Sequence, residues 1–469
     1  MKTKLYSFCL LLCIAGTVVV NAAPKKHLVK FTIHGFSNTI CYLGGHYGDH
    51  DYIYDTAKVD AKGNFEFTGD KELDGGVYFL ISASKKKLFE FIIDKEQKFA
   101  MEADTVDYSK TMKVVGSPEN ALFYEYQRYA ITMHDKVDAL SKEVKEGPDK
   151  EGAKVKLDTL NEQGRRYRLD FIKKHSDMFM SKVLNMVEEP VVPPAPILPN
   201  GRKDSSFAFR YYKAHYFDNI DFSDPRIIHT PVFFPKIKEY LTRLTVPDPD
   251  SVISAADFLI QKAGSNKDMF RFLVQYIIYT YENSEIMGMD AVFVHMAEKY
   301  YTPELATWVS ASQLERVKER AEQLKPILIG NRAIPIVLPD TNNVMQALDS
   351  VKAEYTVLYF WDYDCSHCQK ETPKLIRWYD SVKAEGIQVY AVQTNSATDK
   401  WKSYIRAHKL DWINVMDIYH TSNFRHEYDV VTTPMIYLLD GNKIIMAKKI
   451  DTDNLNKVLR HIRDKKRQH

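Results

Sequence analysis

The chain has 469 residues, of which 45% are hydrophobic and 27% charged. This balance excludes a disordered or fibrous protein, and the length exceeds what one core sustains, so roughly two to four domains are expected. Lys and Arg total 64 against 62 Asp and Glu, a formal charge of +2 that gives no global electrostatic case for nucleic acid as a partner.

Lys2 and Lys4 precede an apolar run from Leu5 to Val20, and Val20-Asn21-Ala22 suits signal peptidase. Residues 1–22 therefore read as a signal peptide cleaved after Ala22, which directs the chain to the periplasm or cell envelope. Cleavage removes Lys2 and Lys4 and leaves a formally neutral protein. The run falls short of the roughly 20 residues of a membrane helix. Leu12 is bulky where a lipobox before Cys13 wants a small residue, so a soluble exported protein is expected rather than a lipid-anchored one. Of the five cysteines, Cys9 and Cys13 leave with the leader. Cys41, Cys365 and Cys368 then stand in a compartment that tolerates disulfides, too few for a disulfide framework.

Residues 23–115 read as an antiparallel β-sandwich. Val29–Ile33, Ile40–Leu43, Asn64–Thr68, Val77–Ile81 and Leu88–Ile93 are short apolar-rich runs, and turn signals separate them at Gly35, Asn38, Gly63-Asn64 and Gly75-Gly76. Cys41 falls within a strand and reads as a small buried hydrophobe. His27, His34, His46 and His50 form no helical ligand pair and read as ordinary polar or turn residues.

Residues 116–325 read as helical. Ser117 caps a helix with Pro118 at its first position, and Leu122, Tyr126, Tyr129, Met133, Val137, Leu140 and Val144 form one buried stripe. Gly147-Pro148 ends it. Leu157, Leu160, Tyr167 and Phe171 open a second stripe, which makes an antiparallel hairpin, with dimerisation permitted but not required and the oligomeric state open. The proline-rich segment 188–200 reads as an extended strap. His215–Asp221 is explained by packing before a Ser-Asp-Pro turn.

Residues 326–469 alternate β and α: a buried strand at Val357–Phe360, a helix over Glu371–Lys383, a strand at Ile387–Val392, and a helix over Asp399–His408. A short strand at Trp412–Met416 and a helical turn at Ser422–Tyr428 follow. Thr432-Thr433-Pro434 then leads into a strand at Met435–Leu439, a Gly441-Asn442 turn, a strand at Lys443–Lys448 and a last helix over Thr452–Asp464. The basic tail from Arg460 complements that helix's dipole.

The most informative stretch is Cys365-Ser366-His367-Cys368, between the apolar run Thr356–Trp361 and a helix. Two thiols three apart at a strand-to-helix turn suit a redox-active disulfide, because the helix N-terminus stabilises a thiolate at the first cysteine. In that reading Cys365 attacks a partner disulfide and Cys368 resolves the mixed disulfide, with no cofactor beyond the Cys365–Cys368 pair. Half of a zinc site is the rival, but structural zinc takes four ligands and no second pair is present, so no metal is expected.

From Phe360-Trp361 through Cys365-Ser-His-Cys368-Gln-Lys-Glu371-Thr-Pro373 to Thr433-Pro434, the chain resembles the exported TlpA/ResA-type thioredoxin-like thiol-disulfide oxidoreductases. The sandwich and helical regions resemble N-terminal regions of unassigned function joined to such domains in Bacteroidota, and Gly330–Asp340 resembles the hairpin that TlpA-type members add before the core. The resemblance implies a multidomain chain with a C-terminal α/β thioredoxin fold. It also implies Glu371 as an acidic residue beside the disulfide, with Ser366, His367, Thr433 and Pro434 contacting substrate and Pro434 cis. A favourable anion in the first helical turn is an equal account of Glu371.

Asp364, where the family often has Trp, opposes thiolate formation at Cys365, and His367 favours it, so the two departures pull in opposite directions. The expected activity is reduction of disulfides in exported proteins, fed by a membrane thiol electron donor, with isomerase or oxidase activity as the alternative. A cell-envelope binding or assembly protein with a non-catalytic thioredoxin domain is the reading from another class.

Overall fold

The computed structural model describes residues 26–468. The expected leader, with Cys9 and Cys13, lies outside the described residues. The chain divides into two compact units, one running to Glu189 and including Arg226–Phe234, the other comprising Pro190–Pro225 and the chain from Pro235 onward.

In the first unit, strands β1 (His27–His34), β2 (Thr39–Tyr47), β3 (His50–Val59), β4 (Asn64–Gly69), β5 (Gly76–Ser82), β6 (Lys87–Ile93) and β7 (Lys98–Asp104) precede a short helix α1 (Tyr108–Thr111) and strand β8 (Lys113–Val115). They form two four-stranded sheets, ordered β4-β1-β7-β8 and β3-β2-β5-β6. Alternation along β1 buries Val29, Phe31 and Ile33 on one face. Phe31 meets Phe91 of the other sheet with ring centroids 5.3 Å apart, which makes the pair a sandwich. The sandwich is mixed rather than wholly antiparallel, because β1 and β7 run parallel. Parallel neighbours need a long crossover, and here β2 to β6 supply it. Cys41 is buried on β2, where burial pushes its thiol up to about 12 and leaves it unreactive.

Helices α2 (Pro118–Glu146) and α3 (Lys150–Lys174) follow as a hairpin, then α4 (Phe179–Met186). The Ser117 hydroxyl accepts from the Asn120 amide at 3.2 Å, and Gly147 ends the first helix. The α2 stripe is half-buried, because α3 covers it from one side only: Tyr129 stacks on Tyr167 at 3.5 Å and Tyr126 packs on Phe171. Buried Asn120 ties this hairpin to the sandwich. Its Oδ1 accepts from the Ile92 amide and its Nδ2 donates to the Ile92 carbonyl, both at 2.7 Å.

In the second unit, the strap ends in a bridge between Ile197 and Lys203. Helices α5 (Phe207–His215), α6 (Phe233–Thr242, in this unit from Pro235 onward), α7 (Pro249–Ala263), α8 (Lys267–Glu282), α9 (Asp290–Tyr300) and α10 (Ala311–Leu324) lead to the C-terminal domain. His215 pairs locally with Asp218 at 2.6 Å. The hairpin before the core is β9 (Val337–Pro339) with β10 (Met345–Ala347), later than the expected Gly330–Asp340. Residues 330–333 are instead claimed by backbone bonds to the C-terminal sheet: Gly330 donates to Ile445, Ile445 to Asn331 and Ala333 to Lys443, each at 2.8 Å.

That sheet has five strands, β11 (Tyr355–Trp361), β12 (Ile387–Gln393), β13 (Ile413–Met416), β14 (Met435–Asp440) and β15 (Ile445–Lys448), in the order β13-β12-β11-β14-β15. Around it lie α11 (Ser366–Val382), α12 (Thr398–His408), α13 (Phe424–Glu427) and α14 (Thr452–Gln468). This is a thioredoxin-type α/β domain. Helix α11 begins at Ser366, not at the expected Glu371, and holds Pro373 in its interior. Burial of Cys368, Glu371, Thr372 and Leu375 on one face outweighs the local cost of that proline. Among the described residues no helix is long and apolar enough to cross a membrane.

Replacing Asn120 with Leu leaves both Ile92 backbone groups unpaired and is expected to cost about 2–4 kcal/mol. Hydrogen exchange at Ile92 and along β6 should accelerate accordingly, and unchanged exchange would show that the bridge does not hold hairpin to sheet.

Candidate redox site

After Trp361 the chain turns within three residues. Asp362 accepts from the Asp364 amide through Oδ1 at 2.9 Å and from the Cys365 amide through its carbonyl at 3.2 Å. This tight turn places Cys365 at the N-cap of α11 with extended backbone, φ −79° and ψ 122°. The Cys365 carbonyl accepts from the Gln369 amide at 3.0 Å, and no side-chain oxygen caps the helix. The first amides of α11 are thereby left to the Cys365 sulfur. One turn on, Cys368 is 1% exposed. The two thiols are unbridged.

The environments of the two sulfurs differ in sign. At Cys365 burial disfavours the thiolate, but the amides of Cys368 and His367 and contacts from the Thr433 and Cys368 side chains outweigh it, and the pKa falls below the ordinary thiol value. The Thr433 carbonyl, which accepts from Cys365 Sγ at 3.3 Å, stabilises the thiol and limits that fall. At Cys368 burial dominates and pushes the thiol up to about 12, although the Asp362 amide reaches its sulfur at 3.4 Å. The pair therefore has one thiol readily ionised and one held protonated.

The Thr433–Pro434 bond is cis, and the segment faces Cys365 through the Thr433 carbonyl. His367, Glu371, Thr433 and Pro434 line a cleft of about 880 Å³. Ser366 is exposed and is not among the cleft's lining residues. His367 supports Cys365 through its backbone amide. Buried Glu371 accepts from the Thr452 amide at 2.6 Å, at the start of α14, and lies 3.4 Å from Lys374 Nζ. Its carboxylate thus serves the N-terminus of α14, whereas on α11, which begins at Ser366, it lies beyond the first turn, so the account of Glu371 as a first-turn anion does not hold.

A further group on the cleft carries no local sequence signal. Arg320 of α10 grips Asp429 with Nη1 at 2.6 Å and Nη2 at 3.0 Å, and Lys449 Nζ reaches the same carboxylate at 3.0 Å. All three line the cleft, with Val431 exposed at its rim. Arg320 and Asp429 lie 109 positions apart, beyond the reach of any local pattern. Among the described residues no group of three or more His, Cys, Asp or Glu could hold a metal ion.

A dithiol on the first turn of a helix that follows a buried central strand, facing a cis-prolyl segment, defines a thioredoxin-like redox domain. Residues 329–448 match the AhpC/TSA family, while residues 28–123 and 173–326 each match a domain of unknown function, DUF4369 and DUF5106. Through its C-terminal domain the chain belongs to the thioredoxin-like thiol-disulfide oxidoreductases. A domain of a possible thiol-disulfide isomerase from Cytophaga hutchinsonii is 39% identical over 30% of this chain and 97% of its own, with a TM-score of 0.29. The thioredoxin domain of a thiol-disulfide oxidoreductase from Bacteroides vulgatus is 30% identical over 29% of this chain and 96% of its own, with a TM-score of 0.27. Thiol-disulfide oxidoreductase ResA of Bacillus subtilis is 26% identical over 24% of this chain, which spans 61% of that relative's length.

In the reduced protein Cys365 should be alkylated by iodoacetamide with a midpoint below the ordinary thiol pKa of roughly 8.5, and Cys368 should resist until near pH 12. Mass spectrometry of each peptide across pH reads both, and equal titration of the two thiols would contradict the asymmetry.

Proposed function

We propose that the protein is an exported thiol-disulfide oxidoreductase that reduces disulfides of other exported proteins. The opposed ionisation of Cys365 and Cys368 beside Thr433-Pro434 carries this reading. The Cys365 thiolate attacks one sulfur of the substrate disulfide. A Cys365–substrate bond forms, the substrate S–S bond breaks, and the released thiolate takes up a proton. Cys368 then gives up its proton and attacks Cys365, which frees the second substrate thiol and leaves Cys365 and Cys368 as a disulfide. Two electrons and two protons pass to the substrate, and a membrane thiol donor returns them to the pair.

A buried, protonated Cys368 suits this order, because it cannot compete for the substrate before Cys365 has reacted. The N-terminal leader motif supports export, and the likeness to thiol-disulfide oxidoreductase ResA supports thiol-disulfide exchange. Glu371 takes the resolving proton in this reading, which its position on the cleft, one turn from Cys368, supports. In this reading His367, Thr433 and Pro434 form the substrate contact on the cleft, and exposed Ser366 stands outside its lining.

Cys365→Ser should abolish reduction of a model protein disulfide, and Cys368→Ala should accumulate a covalent complex through Cys365. Thiol counting in glutathione buffers should give one two-electron transition, with a midpoint nearer about −270 mV than −120 mV for a reductase. A midpoint at the oxidising end would favour the isomerase or oxidase alternative, and the absence of any transition would leave a binding protein.

A further inference from the structure

The segment that meets Cys365 is short and held from two ends. On one side it runs into β14, where Met435 is in register with Phe360 of the buried central strand. On the other it begins at Asp429, which is 2% exposed and adopts a left-handed backbone, φ 52°, uncommon for a residue with a side chain. Such a conformation persists only where surrounding contacts over-determine it. Those contacts come largely from α10: both Arg320 nitrogens grip the carboxylate, Arg320 Nη1 also reaches Gln323 Oε1 at 2.8 Å, and Gln323 Nε2 donates to the His426 carbonyl at 2.9 Å. Lys449 closes the other side of the carboxylate. Between these anchors Val431 is 79% exposed and the Thr433 carbonyl touches the Cys365 sulfur.

We propose that Arg320 is a positioning residue of the redox site, which fixes Asp429 and so holds Val430–Pro434 at the distance from Cys365 that an extended disulfide-bearing peptide requires. This assigns the last helix of the region matching DUF5106 a part in the substrate cleft. It rests on the reading that the cleft takes a protein disulfide. The planar guanidinium makes two parallel bonds that fix the carboxylate's direction as well as its place, which a lysine ammonium cannot reproduce. A displacement of about 1 Å in a positioning element is enough to cost up to a hundredfold in rate. The selectivity follows from chemistry: a peptide must lie along Thr433, whereas a small aromatic disulfide needs only the exposed edge of Cys365.

The test uses the full chain, wild type against Arg320→Met and Arg320→Lys, with folding checked by circular dichroism. In Arg320→Met, KM for a short peptide disulfide should rise about tenfold, with Arg320→Lys between it and wild type. Turnover of a small aromatic disulfide should change less than the peptide KM, and the ionisation of Cys365 should shift as the Thr433 carbonyl moves away from its sulfur. Hydrogen exchange across 430–433 should quicken in both variants, a readout that needs no activity. Unchanged exchange together with an unchanged peptide KM overturns the positioning role. If Arg320→Met does not fold, Arg320→Lys alone decides by the same two readouts. A wild type that reduces neither disulfide defeats the oxidoreductase reading instead, and exchange then decides on Arg320 separately.

Discussion

Everything at the redox site depends on one strand buried on both faces. Tyr355–Trp361 has no exposed residue, lies between a parallel and an antiparallel neighbour, and therefore has its register fixed on both sides. Register, rather than any contact between the cysteines and the prolyl segment, brings the two halves of the site together. Phe360 stands opposite Met435, so the turn leaving one strand and the segment entering the other meet at the same end of the sheet. A slip of one residue would turn the aromatic side chains of β11 to the wrong faces and separate Cys365 from Thr433.

On that platform the chemistry needs little apparatus. The same helix gives its free amides to the first cysteine and its buried face to the second, so one element produces opposite effects on two identical side chains. Glu371 continues the pattern. Its carboxylate accepts the first amide of α14 and approaches Lys374, so it joins the second turn of α11 to the start of α14.

What could be read from the sequence was what is local. The Cys-Ser-His-Cys spacing after an apolar run, the capping Ser117-Pro118, and Thr433-Pro434 ahead of a strand all carry their physics within a few residues. Elements whose limits depend on distant partners were less legible. Pro373 suggests a helix start, yet α11 begins five positions before Glu371 because its buried face is set by the sheet. The parallel pairing of β1 with β7 joins strands separated by five others, and nothing in either strand's composition distinguishes it from an antiparallel edge. The hairpin expected at Gly330–Asp340 moved to residues 337–347 because the earlier residues are held against β15. The Arg320–Asp429–Lys449 group was invisible for the same reason: each member is an ordinary charged residue until the fold gathers them.

The backbone bonds that join Gly330 and Asn331 to Ile445 of β15, and Ala333 to Lys443 just before it, have a consequence for the protein's behaviour in a crowded compartment. An outer strand such as β15 would present open amides and carbonyls to any neighbouring chain. Here the approach segment pairs with both backbone groups of Ile445 at the start of that row and with Lys443 just before it, and a bridge from Asp340 to Val415 touches the opposite outer strand, β13. Both flanks of the sheet are thus engaged by the same stretch of polypeptide, which leaves less room for strand addition between copies. A thioredoxin-type domain cut free of residues 328–340 would keep its dithiol and lose this guard against self-association.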